Sequence, residues 1–372
     1  MTDITNNRDS RIELLRILSA FLILSHHAIQ HGGEDTNALM QAPLSVNQMW
    51  SSLVGSWGQL GVTIFVILTC WFFLNKRGGY GVKPSKAVDI AVATWIYGVV
   101  ILLIVLVFKQ TVPYGVIIKN LLTPFYPNGY WFITTYIAFY LSLPILGKLL
   151  FALSKKQLKY LLFIGSLLIP IYNFIFSGAI GGTLFYFYYI FFVVGFIKQY
   201  DDCFIRKHNK VLFVVTTVVI FVLIELCALT SELTGVNALL GMINKIHDSR
   251  NILTVIQALS LFFIFLGLKP RKSLVINEIA KTALGTYLIT ENIVIRGESN
   301  QVSILWNGIF HFAEMSKSRL FIPYSIGVIV LVFTCSVIIE YIRMYIVKKI
   351  KLKNRLLEKL DQRCLSCFEE TQ

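Results

Sequence analysis

Apolar runs of about 20 residues recur from one end of this chain to the other, each long enough to cross about 30 Å of hydrocarbon as a helix. Run length and flanking charge predict ten spans, at roughly 12–30, 52–74, 87–108, 131–151, 158–176, 183–197, 211–230, 251–268, 282–296 and 320–343. The sixth and ninth are short and polar for spans. Alternation of apolar and polar residues over about ten positions, which transmembrane strands need, is absent. The pattern therefore predicts an all-α, polytopic integral membrane protein with its helices in one bundle. Residues 1–345 form the membrane-embedded domain and 346–372 a basic tail. No internal repeat or inverted symmetry between halves is apparent. Four loops on one side, about 31–51, 109–130, 231–250 and 297–319, exceed tight turns and could build a binding surface.

Composition agrees with this reading: 56% of residues are hydrophobic and 15% charged, against about 25% charged in soluble domains. With the N-terminus inside, most of the 34 Lys and Arg fall in inner loops and tails. They cluster at Lys76/Arg77/Lys83/Lys86, Lys155/Lys156/Lys159, Lys198/Arg206/Lys207/Lys210, Lys269/Arg271/Lys272/Lys281 and beyond Lys348. That bias predicts a multi-pass protein of the inner or plasma membrane with both termini cytoplasmic. The net charge of +14 follows from the same rule, so it implies contact with the lipid bilayer and its anionic headgroups, not nucleic acid. The first span holds Arg and His with no small-residue cleavage site after it, unlike a signal peptide. None of the six cysteines falls in an outer loop. Cys364-Leu365-Ser366-Cys367 is a lone CxxC, too few ligands for a zinc site. No Walker loop, dinucleotide fingerprint or HExxH occurs.

The first span carries the most informative polar residues. Arg16 and His27 are eleven residues apart, within about 20° of three full turns, so they share one helical face about 16 Å apart in rise. His26 points about 80° away from that face. Ionisable groups at membrane depth are costly and serve as functional-site hypotheses. Arg can hold phosphates or carboxylates, and His can take and return a proton near neutral pH. Glu13 lies one turn before Arg16 and can orient it. Equally, the arginine could snorkel to headgroups and the histidine could sit at the interface. His27 and His31 have the i, i+4 spacing of metal ligands, but no acidic or Cys partner is near in sequence and three protein ligands are needed, so no metal is expected. In the ninth span, Glu291, Asn292 and Arg296 read either as a cluster orienting acceptor or base, or as a self-neutralising pair that stabilises the bundle. Glu225 reads as paired within the bundle. The segment Phe125-Tyr126-Pro127-Asn128-Gly129-Tyr130-Trp131 combines turn residues with amphipathic rings. Tyr130 and Trp131 there suit stacking on sugars, with a belt anchor as the alternative.

These residues carry a resemblance. Arg11-Ile12-Glu13-Leu14-Leu15-Arg16, followed by ten residues and His27, resembles the opening helix of the acyltransferase 3 family, membrane O-acyltransferases that modify surface polysaccharides. Glu13 stands where the family usually has Asp. Gly61-Val62-Thr63-Ile64-Phe65 through Thr69-Cys70-Trp71-Phe72 is similar to its second-span signature, with Thr69-Cys70 in place of Ser-Gly. Tyr130-Trp131-Phe132-Ile133 with Tyr136, Tyr140 and Pro144 resembles a middle-span segment. Gly285-Thr286-Tyr287-Leu288-Ile289-Thr290-Glu291-Asn292, with Arg296 and Trp306, is similar to a late motif in which Thr290 stands where the family has His. The resemblance covers about 11–345. It implies His27 as the base, Arg16 at the donor, and substrate-binding roles for Glu13, Glu291, Asn292, Arg296, Tyr130 and Trp131. It further implies acetyl-CoA as donor substrate with no bound cofactor, a polysaccharide or lipid-linked glycan acceptor, and polysaccharide-synthesis machinery as partner. The competing reading is a transporter or export component for a glycan or lipid-linked sugar.

Overall fold

The computed structural model describes residues 9–32, 44–75, 81–108, 111–126, 129–176, 182–200, 203–236, 238–248, 250–297, 302–350 and 355–368. The described residues are helical with no strand, and eight of their helices are long and apolar enough to cross a membrane. These are α1 (Ser10–Gly32), α2 (Val46–Phe73), α3 (Pro84–Val107), α5 (Trp131–Ala152), α6 (Lys155–Ile175), α7 (Gly182–Tyr200), α8 (Asn209–Thr234) and α14 (Phe321–Ile350). Shorter helices fill the connections: α4 (Tyr114–Leu121), α9 (Ala238–Ile246), α10 (Ile252–Leu266), α11 (Leu274–Ala280), α12 (Ala283–Thr290), α13 (Ile293–Arg296) and α15 (Arg355–Cys367).

Ten spans were expected, and two of them are not among the eight long helices. The eighth is the 15-residue α10, with nine residues buried and the other six partly buried. The ninth is broken into α12 and α13. Local chemistry explains the helix starts. Ser45 caps α2 by accepting from the Gln48 N–H, and Ser154 with Gln157 forms a capping box on α6. Asn251 caps α10 through the Leu253 N–H, while α8 stops at Gly235, whose φ of +70° suits glycine alone.

The expected boundary at 345 falls inside α14, and among the described residues beyond it Arg355–Cys367 form α15. Asp361 on α15 accepts from both the N–H and the hydroxyl of Ser85 at the start of α3, at 2.9 and 2.6 Å. Leu365 packs on Gly81, and Phe368 lies under the Lys148 ammonium. Lys76, Arg77, Pro127 and Asn128 lie outside the described residues.

The first helix is the spine of the bundle, with α2 against one side. Lipid tails are as apolar as leucine, so helices associate in membranes through close packing, which favours small residues. Gly55, Gly58 and Gly61 supply that surface on α2: Gly61 takes the Ser19–Ile23 turn, Gly58 the His26 ring, and Gly55 faces Ile29 and His247. The Ser19 hydroxyl donates to the Gly61 carbonyl at 2.7 Å. The His26 Nδ1 meets the Gly55 carbonyl at 2.6 Å. His26 is thereby a packing residue of the α1–α2 contact.

A Cβ at position 58 overlaps the His26 ring, whereas one at Gly115 meets nothing within 4 Å. Gly58→Ala should therefore destabilise by about 1–3 kcal/mol despite alanine's better helix propensity. Gly115→Ala should be neutral or mildly stabilising. Thermal unfolding of the detergent-purified variants checks both, and equal melting temperatures would remove the close-packing argument.

Candidate active site

On its side away from α2, α1 faces the broken helix. His27 is buried with a 5% exposed surface, and each of its ring nitrogens has a polar neighbour. Nδ1 lies 2.9 Å from the Thr290 hydroxyl, and Nε2 lies 3.2 Å from Oε2 of Glu291. The same Oε2 is 3.0 Å from Nε2 of His31, one turn further along α1. Oε1 of Glu291 is ion-paired with the Arg296 guanidinium. The Tyr287 ring packs 5.8 Å from the His27 ring, centroid to centroid.

The helix break creates this geometry. On a continuous helix, five residues amount to about 500°, which would set Glu291 and Arg296 about 140° apart around the axis. Asn292 interrupts the helix instead, with φ −61° and ψ 128°, and caps α13 by accepting from the Val294 N–H at 2.9 Å. The turn re-aims Arg296 onto Glu291. Backbone groups freed inside a membrane protein must find partners. Here the Tyr130 hydroxyl donates to the Leu288 carbonyl at 2.7 Å. The Asn292 amide donates to Tyr130 at 2.8 Å and to Asn120 at 3.2 Å, and Asn120 in turn donates to the Gly98 carbonyl. Tyr130 and Asn292 therefore hold the break open.

Charge bookkeeping sets the protonation pattern. An ionised Glu291 and the Arg296 guanidinium cancel, so neutral imidazoles leave the buried cluster uncharged. A carboxylate only accepts hydrogen bonds, so the His27 nitrogen facing it carries the proton. That is the Nε2–H tautomer, whose lone pair is on Nδ1. In that tautomer the Thr290 hydroxyl has two acceptors within reach for its one proton, His27 Nδ1 at 2.9 Å and the Thr286 carbonyl at 3.0 Å.

Arg16 and Glu13 lie at the other end of α1 and pair with each other, as their spacing predicts. The Arg16 guanidinium also rests 5.1 Å over the Phe72 ring. The structure thus places Arg16 and Glu13 apart from the His27 cluster and gathers His27, Glu291, Arg296, Asn292 and Tyr130 in one place. Trp131 is only partly buried, and its ring packs edge-on against Phe132. His31 gains in Glu291 the acidic neighbour that proximity along the chain did not provide, and the ligand atoms of His27, His31 and Glu291 all lie within 4.8 Å of one another. Such a trio could hold a divalent ion, but the guanidinium on the same carboxylate opposes a second positive charge. Gly285 of the late motif packs against Glu340, a buried carboxylate gripped by Arg343 at 2.6 and 2.7 Å and by the Tyr97 hydroxyl at 2.7 Å. Glu225 accepts from the Gln48 amide at 3.1 Å. Tyr287 and Glu340 were given no role from the sequence, and Thr290 was marked only as the residue that stands where the late motif has His.

A multi-pass helical protein with a buried imidazole held between a hydroxyl and a carboxylate has the parts of a proton-transfer enzyme. The acyltransferase 3 family profile, described as an acyltransferase domain, matches residues 9–341, nearly the whole chain. The protein belongs to that family and is a membrane acyltransferase by membership. No curated protein and no solved structure gives a match.

Removing Arg296 alone strands a buried carboxylate, which typically costs about 3–5 kcal/mol. Arg296→Met should therefore lower thermal stability sharply, while the double variant Glu291→Gln/Arg296→Met recovers most of it and stays inactive. Recovery of both stability and activity in the double variant would reduce the cluster to a structural ion pair.

Proposed function

We propose that the protein is an integral membrane O-acyltransferase that moves an acetyl group from cytoplasmic acetyl-CoA to a sugar hydroxyl of a surface polysaccharide, an exopolysaccharide or their lipid-linked precursor. His27 is the general base. The observation that carries this reading is the orientation of His27. Glu291 faces Nε2, favours the tautomer with a free lone pair on Nδ1, and stabilises the imidazolium once that lone pair has taken a proton. A hydroxyl is a poor nucleophile until such a base accepts its proton as the C–O bond forms.

The basic clusters favour an orientation with both termini in the cytoplasm. Arg16, held by Glu13 and set over Phe72, then faces the donor side, where its fork suits CoA phosphates. About 16 Å of helix rise separates it from His27. That is a span an extended pantetheine arm can bridge, with the thioester delivered to the base. Tyr130 and Asn292 bind substrate indirectly, by shaping the helix break. Trp131, partly exposed near the same end of α5, suits stacking on the acceptor sugar. The broken α12–α13 segment is the one observation that favours a transporter, because discontinuous helices line many transport sites. Acetyl-CoA-dependent product formation by the purified protein separates the two readings.

Purified protein given radiolabelled acetyl-CoA and extracted glycan should form labelled glycan whose mass exceeds the unmodified chain by one acetyl group per site. His27→Ala should abolish transfer. His26→Ala should retain it with a lower melting temperature, since His26 packs against Gly58 on the α2 side. Full activity of His27→Ala would remove it from the mechanism. Because Arg296 already neutralises Glu291, activity should also survive EDTA. Loss on chelation with recovery on adding Zn²⁺ would instead place a metal at His27, His31 and Glu291.

A further inference from the structure

The hydroxyl that the base touches belongs to the protein itself. Thr290 Oγ1 lies 2.9 Å from Nδ1 of His27, the nitrogen that bears the lone pair when Nε2–H faces Glu291. Hydroxyl, imidazole and carboxylate thus stand in sequence, 2.9 Å and 3.2 Å apart. That is the arrangement of an activated nucleophile, a base and the group that orients the base. A substrate hydroxyl approaching Nδ1 directly would first have to displace the one already there. We infer that Thr290 is a nucleophile, and that the acyl group passes from the CoA thioester to Thr290 Oγ1 before it reaches the acceptor. The inference rests on the acyl-CoA donor proposed above.

Both half-reactions balance. In the first, Thr290 Oγ1 attacks the thioester carbonyl carbon while its proton moves to Nδ1 of His27. The tetrahedral oxyanion collapses, the C–S bond breaks, and the leaving thiolate takes the proton from His27 to give CoA thiol. In the second, the acceptor hydroxyl attacks the Thr290 ester and gives its proton to Nδ1, now open because the threonine oxygen is esterified. The C–Oγ1 bond breaks and the threonine oxygen recovers the proton from His27. No oxidant, reductant or further reactant is needed.

Two more observations fit this route. Tyr287, one helical turn before Thr290, is only 7% exposed, and its hydroxyl proton has no acceptor among the described residues. Its ring packs on His27. A buried hydroxyl whose proton has no ground-state acceptor suits an oxyanion that exists only during the reaction. Thr290 itself has no exposed surface. An ester formed there is shielded from water, which suppresses wasteful hydrolysis between the half-reactions. The Thr290 hydroxyl also lies 3.0 Å from the Thr286 carbonyl, which competes with His27 Nδ1 for its one proton, so attack requires the proton to turn from that carbonyl to Nδ1.

The test uses full-length wild-type protein in nanodiscs with radiolabelled acetyl-CoA and no acceptor. A burst of about one CoA thiol per protein should appear. Label should remain on the protein through a hydroxylamine-sensitive ester, map by mass spectrometry to Thr290, and move to glycan when acceptor is added. Thr290→Ser should keep the burst and the label. Thr290→Val, equal in size but without the hydroxyl, should lose both and slow glycan acetylation at least about a hundredfold, the lower end for losing a positioned catalytic group. Label on His27 or any other residue would overturn the inference. So would glycan acetylation by Thr290→Val at the wild-type rate, or wild-type transfer without acceptor-free CoA release. In each of those cases acetyl transfer itself persists. Failure of the donor reading is distinct: no label reaches protein or glycan from acetyl-CoA in any variant.

Discussion

One carboxylate organises this site. Glu291 is buried with imidazoles of His27 and His31 on one oxygen and the Arg296 guanidinium on the other. An unpaired ion at that depth carries a penalty of several kcal/mol, so the carboxylate is tolerable only with its partners in place. Those partners come from the first helix and from beyond the helix break. The need to neutralise one group therefore ties α1 to α12 and α13, and sets how His27 presents its lone pair.

The rest of the bundle serves that alignment. The glycine surface of α2 lets α1 approach closely enough for His26 to reach the Gly55 carbonyl, which locks the rotation of α1 about its axis. With His26 committed to α2, the neighbouring His27 must face α12. On the far side, Tyr130 and Asn120 hold Asn292 in its extended conformation and supply the partners that a broken helix lacks within a membrane. Adjacent histidines thus face different neighbours, His26 packing on α2 and His27 meeting Thr290 and Glu291. Another buried ion pair, Glu340–Arg343, sits where α14 crosses Gly285 and needs no role beyond holding those helices together.

Much of the site was legible from spacing. The Arg16–His27 phase, the Glu13–Arg16 pair and the choice of His27 over His26 all follow from helical geometry, which depends only on neighbours along the chain. Glu291 and Arg296 were expected together and are together, but for a different reason. A continuous helix would have set them on different faces, and the Asn292 turn brings them to one point. The eighth span is shorter than expected because α10 is packed by neighbouring helices on nearly all sides, so its apolar run marked burial more than a full crossing. The region past 345, read as a tail from its charge, docks because Asp361 caps the start of α3, a partner some 276 residues away.

Backbone groups have no partners in lipid, so a long apolar run must form a helix wherever it finally packs. For that reason, the helical class, most spans and the phase of each polar residue were settled by the amino-acid order alone. Which hydroxyl meets the His27 lone pair was a different matter. Thr290 and His27 are 263 residues apart, and nothing local to either one requires them to meet. Their contact follows from the close packing of α1 on α2, the break at Asn292 and the shared carboxylate of Glu291, and these exist only in the folded bundle. The Arg16–His27 stripe was thus a property of one helix, while the threonine–histidine–glutamate line belongs to the tertiary structure.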